Sequence, residues 1–305
     1  MLKHKICGLL LLLGLGTTEG VAQIKWRLPQ IEVGKAKPPT NRFFVLGAGA
    51  GSLAFVDELS SPRRFSGVAA SSWLGYERQH TNRLFVTDFA TQLGLTSDNS
   101  SNWSPNEAEA LTFRWNLAWM WAGRDADKAL QWYGGPALLQ YGAVRINTAH
   151  GNGAVGYEQS YNVGGRSRLE YRLPLQTRRD YQWWIFKVRK VETRAVRLGW
   201  ELDLPLFGLQ FRPPYNGILD GVGNDPIGAG ARDMLNNSRL EVAGQYFYLN
   251  NHFYLRYPLR NGNRLQLSYN WQAYSRSYLD MPVRQASGVF MASMLFRLDN
   301  REDIR

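Results

Sequence analysis

Residues 109–123 read EALTFRWNLAWMWAG, and their spacing restricts the fold more than any other stretch of the chain. From Leu111 every second residue is large and apolar: Leu111, Phe113, Trp115, Leu117, Trp119 and Trp121. Thr112, Arg114, Asn116, Ala118 and Met120 lie between them. A period of two gathers the aromatic set on one face of a β-strand, whereas a helix would scatter it around the whole circumference. Such a face fits either the core of a soluble β-sandwich or the hydrocarbon of a membrane, with the polar face turned into a barrel lumen.

The N-terminus points to export. Lys3, His4 and Lys5 precede a short apolar run at residues 9–15, and GVAQ supplies small residues for cleavage after Ala22. This is the anatomy of a signal peptide over residues 1–22, and the run is too short to span a bilayer as a helix. Cys7, the single cysteine, precedes the apolar run, so the mature chain has no thiol to form disulfides. No later stretch has the roughly 18 apolar residues of a transmembrane helix. The chain nevertheless carries 11 Trp, 15 Tyr and 14 Phe. Amphipathic rings in that quantity suit a barrel in lipid, where they settle at the two interfaces. The expected fold is all-β: a transmembrane antiparallel up-and-down β-barrel in the cell outer membrane, with a cleaved signal peptide.

Residues 23–40, with Pro38-Pro39, read as a periplasmic leader, residues 41–299 as the barrel and 300–305 as a polar tail. Twelve strands are predicted, at 42–56, 65–79, 82–96, 109–123, 131–147, 158–173, 181–188, 192–204, 208–215, 239–259, 264–277 and 286–298. Pro136 marks a bulge in the fifth. The tenth is either one bulged strand or a hairpin, because its outward set slips near Leu249–His252. Ten strands is the alternative, if the seventh and ninth are not separate. An even count places both termini in the periplasm. The turns at 80–81, 123–130, 174–180, 205–207 and 260–263 then fall on the periplasmic side. The longer polar segments 97–108 and 216–238 fall outside, which is the asymmetry of outer-membrane barrels.

The same alternation sorts charges inward. Arg114, Arg166, Arg168, Glu170, Arg172, Arg197, Glu201 and Asp203 are the expected lumen-lining residues. Arginines interleaved with carboxylates point to salt-bridged structure before catalysis. The formal net charge is +11, and removing residues 1–22 takes away Lys3, Lys5 and Glu19 to leave +10. For an exported protein this excess suits lipopolysaccharide phosphates or anionic solutes and not nucleic acid. No catalytic pair is legible: His80, His150 and His252 each lack a serine two residues on. No metal or cofactor is expected, since the mature chain has no Cys and its histidines are far apart. The loop at 220–233 lacks the acidic spacing of a calcium site. GAGAGS at 47–52 lacks the Lys-Ser/Thr of a phosphate loop, and its glycines point to strand curvature or close approach.

In the segments VAQ, GRSRLEYRLPL and LGWELDLPLFGLQFRPPYNG the chain resembles small outer-membrane β-barrel proteins of Gram-negative bacteria, closest to a Bacteroides-type family. The resemblance implies fold and location, and it carries no activity and no catalytic residues. Phe296 is followed by nine more residues, where the usual assembly signal ends the chain on the aromatic residue. Three functions follow as expectations. The first is a narrow pore whose inward arginines favour anionic solutes. The second is a structural or docking barrel, closed by Arg–carboxylate pairs, that binds a protein partner through residues 97–108 and 216–238. The third and weakest is an enzyme acting on lipid or lipopolysaccharide.

Overall fold

The computed structural model describes residues 40–58, 61–98, 106–123, 129–147, 154–183, 186–212, 238–278 and 281–299. The signal segment 1–22, the leader apart from Thr40, the tail 300–305, and most of 97–108 and 216–238 lie outside these residues.

Eleven strands are formed: β1 (Asn41–Asp57), β2 (Ser61–Gln79), β3 (Arg83–Asp98), β4 (Glu107–Ala122), β5 (Leu130–Asn147), β6 (Ala154–Trp183), β7 (Phe186–Phe211), β8 (Ser238–Val242), β9 (Tyr246–Pro258), β10 (Arg264–Tyr278) and β11 (Met281–Arg297). Neighbours pair antiparallel in chain order, and β11 returns to pair with β1 from Phe43↔Arg297 to Asp57↔Val283. With β7 bonded to both β6 and β9, the ring β1–β2–β3–β4–β5–β6–β7–β9–β10–β11 is closed. Closure leaves no sheet edge in the wall. At the seam a Cβ added at Gly51 would strike the carbonyl oxygen of Gly288, so the two strands approach more closely than a side chain permits. β1 begins and β11 ends at one rim, here the terminal rim, which also holds the β2–β3 and β9–β10 turns. In the second of these Gly262 takes φ 88°.

Two corrections to the sequence reading follow. Ten strands close the ring and not twelve, because four expected strands between 158 and 215 are two long ones. Pro174–Asp180 and Pro205–Phe207, expected as turns, lie inside β6 and β7. The local surroundings of each proline explain this. The Arg172 N–H donates to Ala129 O at 2.7 Å, the last bond between β6 and the β5 side. The nitrogen two residues on faces the same side, beyond β5, so Pro174 forfeits no ladder bond. Pro205 sits where the register shifts: Gly164 opposes Pro205 and Val163 opposes Phe207, leaving Leu206 as a bulge. Beyond the barrel β6 and β7 continue as a two-stranded ribbon to the pair Trp183↔Phe186.

The second correction concerns the expected tenth strand. Its slip falls at Ala243–Tyr246 and not at Leu249–His252. β8 pairs with β7 through Phe207↔Val242 and β9 through Asp203↔Asn250, both antiparallel. It is therefore one path along β7, interrupted by a turn at Gly244 (φ 104°), and not a hairpin. The apparent slip at 249–252 is a polar residue facing out: the Trp200 Nε1–H donates to Asn251 Oδ1 at 3.2 Å. Pro136 interrupts the pairing of β5 with β4 without shifting it, since Ala118↔Ala137 and Trp121↔Gly134 share one register.

Candidate functional site: the ion-paired lumen

Strand alternation decides which side chains enter the lumen. On β4, Arg114 and Asn116 are buried, while Leu111, Trp115, Trp119 and Trp121 are exposed on the outer wall. On β3, Asp88 and Gln92 are buried between exposed Phe89 and Leu93. The outer wall carries large apolar side chains, with Phe290 70% exposed, whereas the inside mixes polar groups such as Asn116, 0% exposed, with apolar clusters around Leu84, Met120 and Leu139 and around Phe43, Val45 and Leu295.

Of the eight charged residues expected in the lumen, Arg114, Arg166, Arg168, Glu170, Glu201 and Asp203 are buried, and Arg172 and Arg197 are half-buried with bonds to Gln131 and Glu170. Nearest the terminal rim, Glu77 of β2 accepts from Arg168 of β6 (2.9 Å) and from Arg256 of β9 (3.1 Å), so bonds cross the ring. Arg168 also meets Glu201 at 2.7 Å, and Glu170 meets Arg197 at 3.2 Å. The Tyr254 hydroxyl donates to Glu170 at 2.6 Å, and the Arg256 guanidinium stacks over the Tyr254 ring at 4.3 Å. Arg172 donates to Gln131 at 2.7 Å. Arg264 lies over the Phe43 ring at 4.0 Å.

In the middle of the lumen Arg166 forms a forked pair with Asp203 (2.5 and 2.9 Å) and a further bond to Asp88 at 2.8 Å. Such bidentate pairs fix geometry as well as charge. Asp88 also accepts from Asn116 at 3.1 Å, and Arg114 reaches Asn250 at 2.5 Å. Asn250 donates to Asp203 at 2.7 Å and accepts from Asn270 at 2.8 Å. Above this, Tyr141 stacks on Tyr274 at 5.0 Å and lies 6.0 Å from Tyr248. Toward the far rim Arg145 pairs with Glu158, with Asp57 at 3.5 Å and with Gln285 at 2.8 Å, and Arg212 pairs with Asp57. Arg276 pairs with Glu241 of β8 at 2.6 Å, which ties β8, bonded to β7 alone, to β10. A cavity of about 20 Å³ beside Gln92, Arg114, Tyr141 and Gln272 has room for about one water.

The sequence reading missed Glu77, Asp88 as an ion-pair partner, Arg145, Glu158 and Arg256. Each alternates inward on its own strand, and that was the available signal. Which charge meets which was not legible, because Glu77 and Arg256 lie 179 residues apart.

The two described histidines of the barrel lie in different surroundings. His80 at the rim is bonded to Thr40 Oγ1 through Nε2 at 3.0 Å. His252 sits in the lumen with Nδ1 3.6 Å from Glu201 and its ring edge-on to Trp73. His150 lies outside the described residues. Among the described residues no three His, Cys, Asp or Glu side chains converge as a metal site, and the lumen carboxylates face arginines instead.

No family model matches the chain, and no curated protein matches it. Among solved structures it is similar to the translocator domain of autotransporter NalP from Neisseria meningitidis, with 11% identity, coverage of 87% of this chain and 90% of that one, and TM-score 0.37. It is also similar to the P. putida toluene transporter TodX, with 11% identity, coverage of 87% and 91%, and TM-score 0.32. The beta domain of the Bordetella autotransporter BrkA gives 9% identity, coverage of 85% and 100%, and TM-score 0.33. Likenesses this distant carry no argument here, and the barrel rests on its own strand pairing.

Proposed function

We propose that the chain is an outer-membrane barrel whose lumen is closed by ion pairs, a docking or anchoring body more than a conduit. The observation that carries this reading is the polarity of the wall: the outer face is lined with exposed large apolar side chains, while the inside holds paired charges together with apolar clusters. Its outward tryptophans strengthen it. Trp115 donates to Thr87 Oγ1 at 3.1 Å, Trp132 to Ser167 Oγ at 2.8 Å and Trp200 to Asn251 Oδ1 at 3.2 Å, each on a neighbouring strand. In water such bonds are optional, but in hydrocarbon an unpaired N–H costs several kcal/mol, roughly 2–7 by transfer measurements. Trp119, Trp121 and Trp132 gather near the terminal rim, as an interfacial aromatic girdle would. An even strand count puts the start of β1 and the end of β11 at the same rim, and in this reading that rim faces the periplasm. The opposite rim, where β3 ends at Asp98 and β4 begins at Glu107, then meets the protein partner and lipopolysaccharide. The Bacteroides-type resemblance of the GRSRLEYRLPL and LGWELDLPLFGLQFRPPYNG segments belongs to this reading.

Planar-bilayer recording of the purified barrel tests it. The expected result is no stable unitary conductance, because bonds cross the ring at three levels, from Arg256 to Glu77, from Arg114 to Asn250 and from Arg145 to Gln285. A steady open conductance would overturn closure and favour the narrow pore. One observation supports anion preference in that case: near the terminal rim, Arg168, Arg172, Arg197, Arg256 and Arg264 outnumber Glu77, Glu170 and Glu201.

A further inference from the structure

The outer wall at the terminal rim holds a pocket that the lumen chemistry does not use. Its volume is about 480 Å³, and it lies across β2, β3 and β4. The floor is aromatic: Tyr76 lies 6.2 Å from Phe85, and Phe85 lies 5.4 Å from Trp119. Strand register places this floor. Phe85 is directly opposite Arg78 on β2 and Trp119 on β4, and Arg83 is opposite Trp121. Arg78 and Arg83 are both exposed and line the same pocket. At the opposite rim Arg63 has Asp98 at 2.7 Å, and Arg42, directly opposite Arg78 on β1, has Asp299 at 3.8 Å. No carboxylate is paired with Arg78 or Arg83 among the described residues.

Two guanidiniums on adjacent strands, without a counter-charge and above an apolar floor, are electrostatically incomplete. A phosphodiester supplies what is missing. Its oxygens suit the planar fork of arginine, and its acyl chains can run along Phe85 and Trp119 toward the middle of the wall. We infer that this pocket binds the phosphate of a membrane glycerophospholipid, with preference for a headgroup of net negative charge. The assignment rests on the membrane reading above, which puts this rim in the periplasmic leaflet, where phospholipid and not lipopolysaccharide is the neighbour.

The test is native mass spectrometry of the full barrel in micelles doped with phosphatidylglycerol or with phosphatidylcholine of matched chains. The wild type is expected to retain phosphatidylglycerol about 10-fold better than the variant Arg78→Gln/Arg83→Gln, given the typical attraction of a basic side chain for an anionic lipid surface. The control Arg63→Gln removes a charge at the opposite rim from an arginine that already has Asp98, and should retain lipid as the wild type does. Equal retention in the wild type and Arg78→Gln/Arg83→Gln would overturn the site. So would equal retention of the two lipids. Displacement of the lipid by millimolar inorganic phosphate would make it a general anion site and overturn the lipid assignment. Each protein is also reconstituted into vesicles. A barrel that fails to insert sinks the membrane reading, whereas one that inserts but shows no arginine-dependent retention sinks this inference alone.

Discussion

Arg168 sits between carboxylates from two sides of the ring, Glu77 at 2.9 Å and Glu201 at 2.7 Å. Removing it leaves both acids buried with one cation fewer. Arg168→Met should therefore cost about 3–5 kcal/mol, the usual penalty for breaking a buried pair from one side. The midpoint of urea unfolding in micelles measures this. A variant within 1 kcal/mol of the wild type, the scale of an exposed pair, would mean the lumen is wet. Gly51 offers an independent residue-level test. Gly51→Val drives a side chain into the carbonyl of Gly288 at the closing seam, so the folded fraction should fall. Folding yield, scored by heat-modifiable electrophoretic mobility, reads the effect. Direction was legible from the sequence at this scale: on β4 and β7 the period of two told in from out. Partnership was not, since Glu77, Arg168 and Arg256 come from three strands that only the closed ring brings together.

At the scale of elements, β6 and β7 depart most from what the sequence suggests. In the sequence Pro174 and Pro205 read as punctuation, as proline often does. Whether proline ends a strand depends on what lies beside it. Pro174 stands past the last β5 bond, and Pro205 stands at a bulge, and neither fact is local to the sequence. The ribbon beyond the rim, residues 173–183 against 186–196, pairs only with itself among the described strands. Replacing residues 175–194 with a two-residue Asn-Gly turn should leave the barrel intact, since that turn suits a two-residue hairpin. Thermal unfolding of the shortened protein should match the full chain to within about 4 °C, the shift expected for roughly 1 kcal/mol or less. A barrel that no longer closes would show that the ribbon is needed for assembly.

At the scale of the whole molecule, two patterns reinforce each other. Pairing of β1 with β11 removes every edge from the wall, and alternation turns the apolar set outward around that wall. A soluble sandwich with the same strands would bury Trp115, Phe89 and Phe290 between sheets, but here each faces out from a single layer. The barrel class was legible because alternation is short-range. The strand count was not, because it depends on how two prolines are accommodated. Whether the outer wall meets acyl chains is read by depth-resolved fluorescence quenching. Tryptophans other than Trp115 are replaced by Phe, and the barrel is reconstituted in lipids brominated midway along the chain. Trp115, halfway along β4, should be strongly quenched by the bromolipid and barely by aqueous acrylamide, and a matching variant retaining only Trp121 near the rim should be quenched less by the deep bromines. Strong acrylamide quenching of Trp115 with no response to bromolipid would contradict the account.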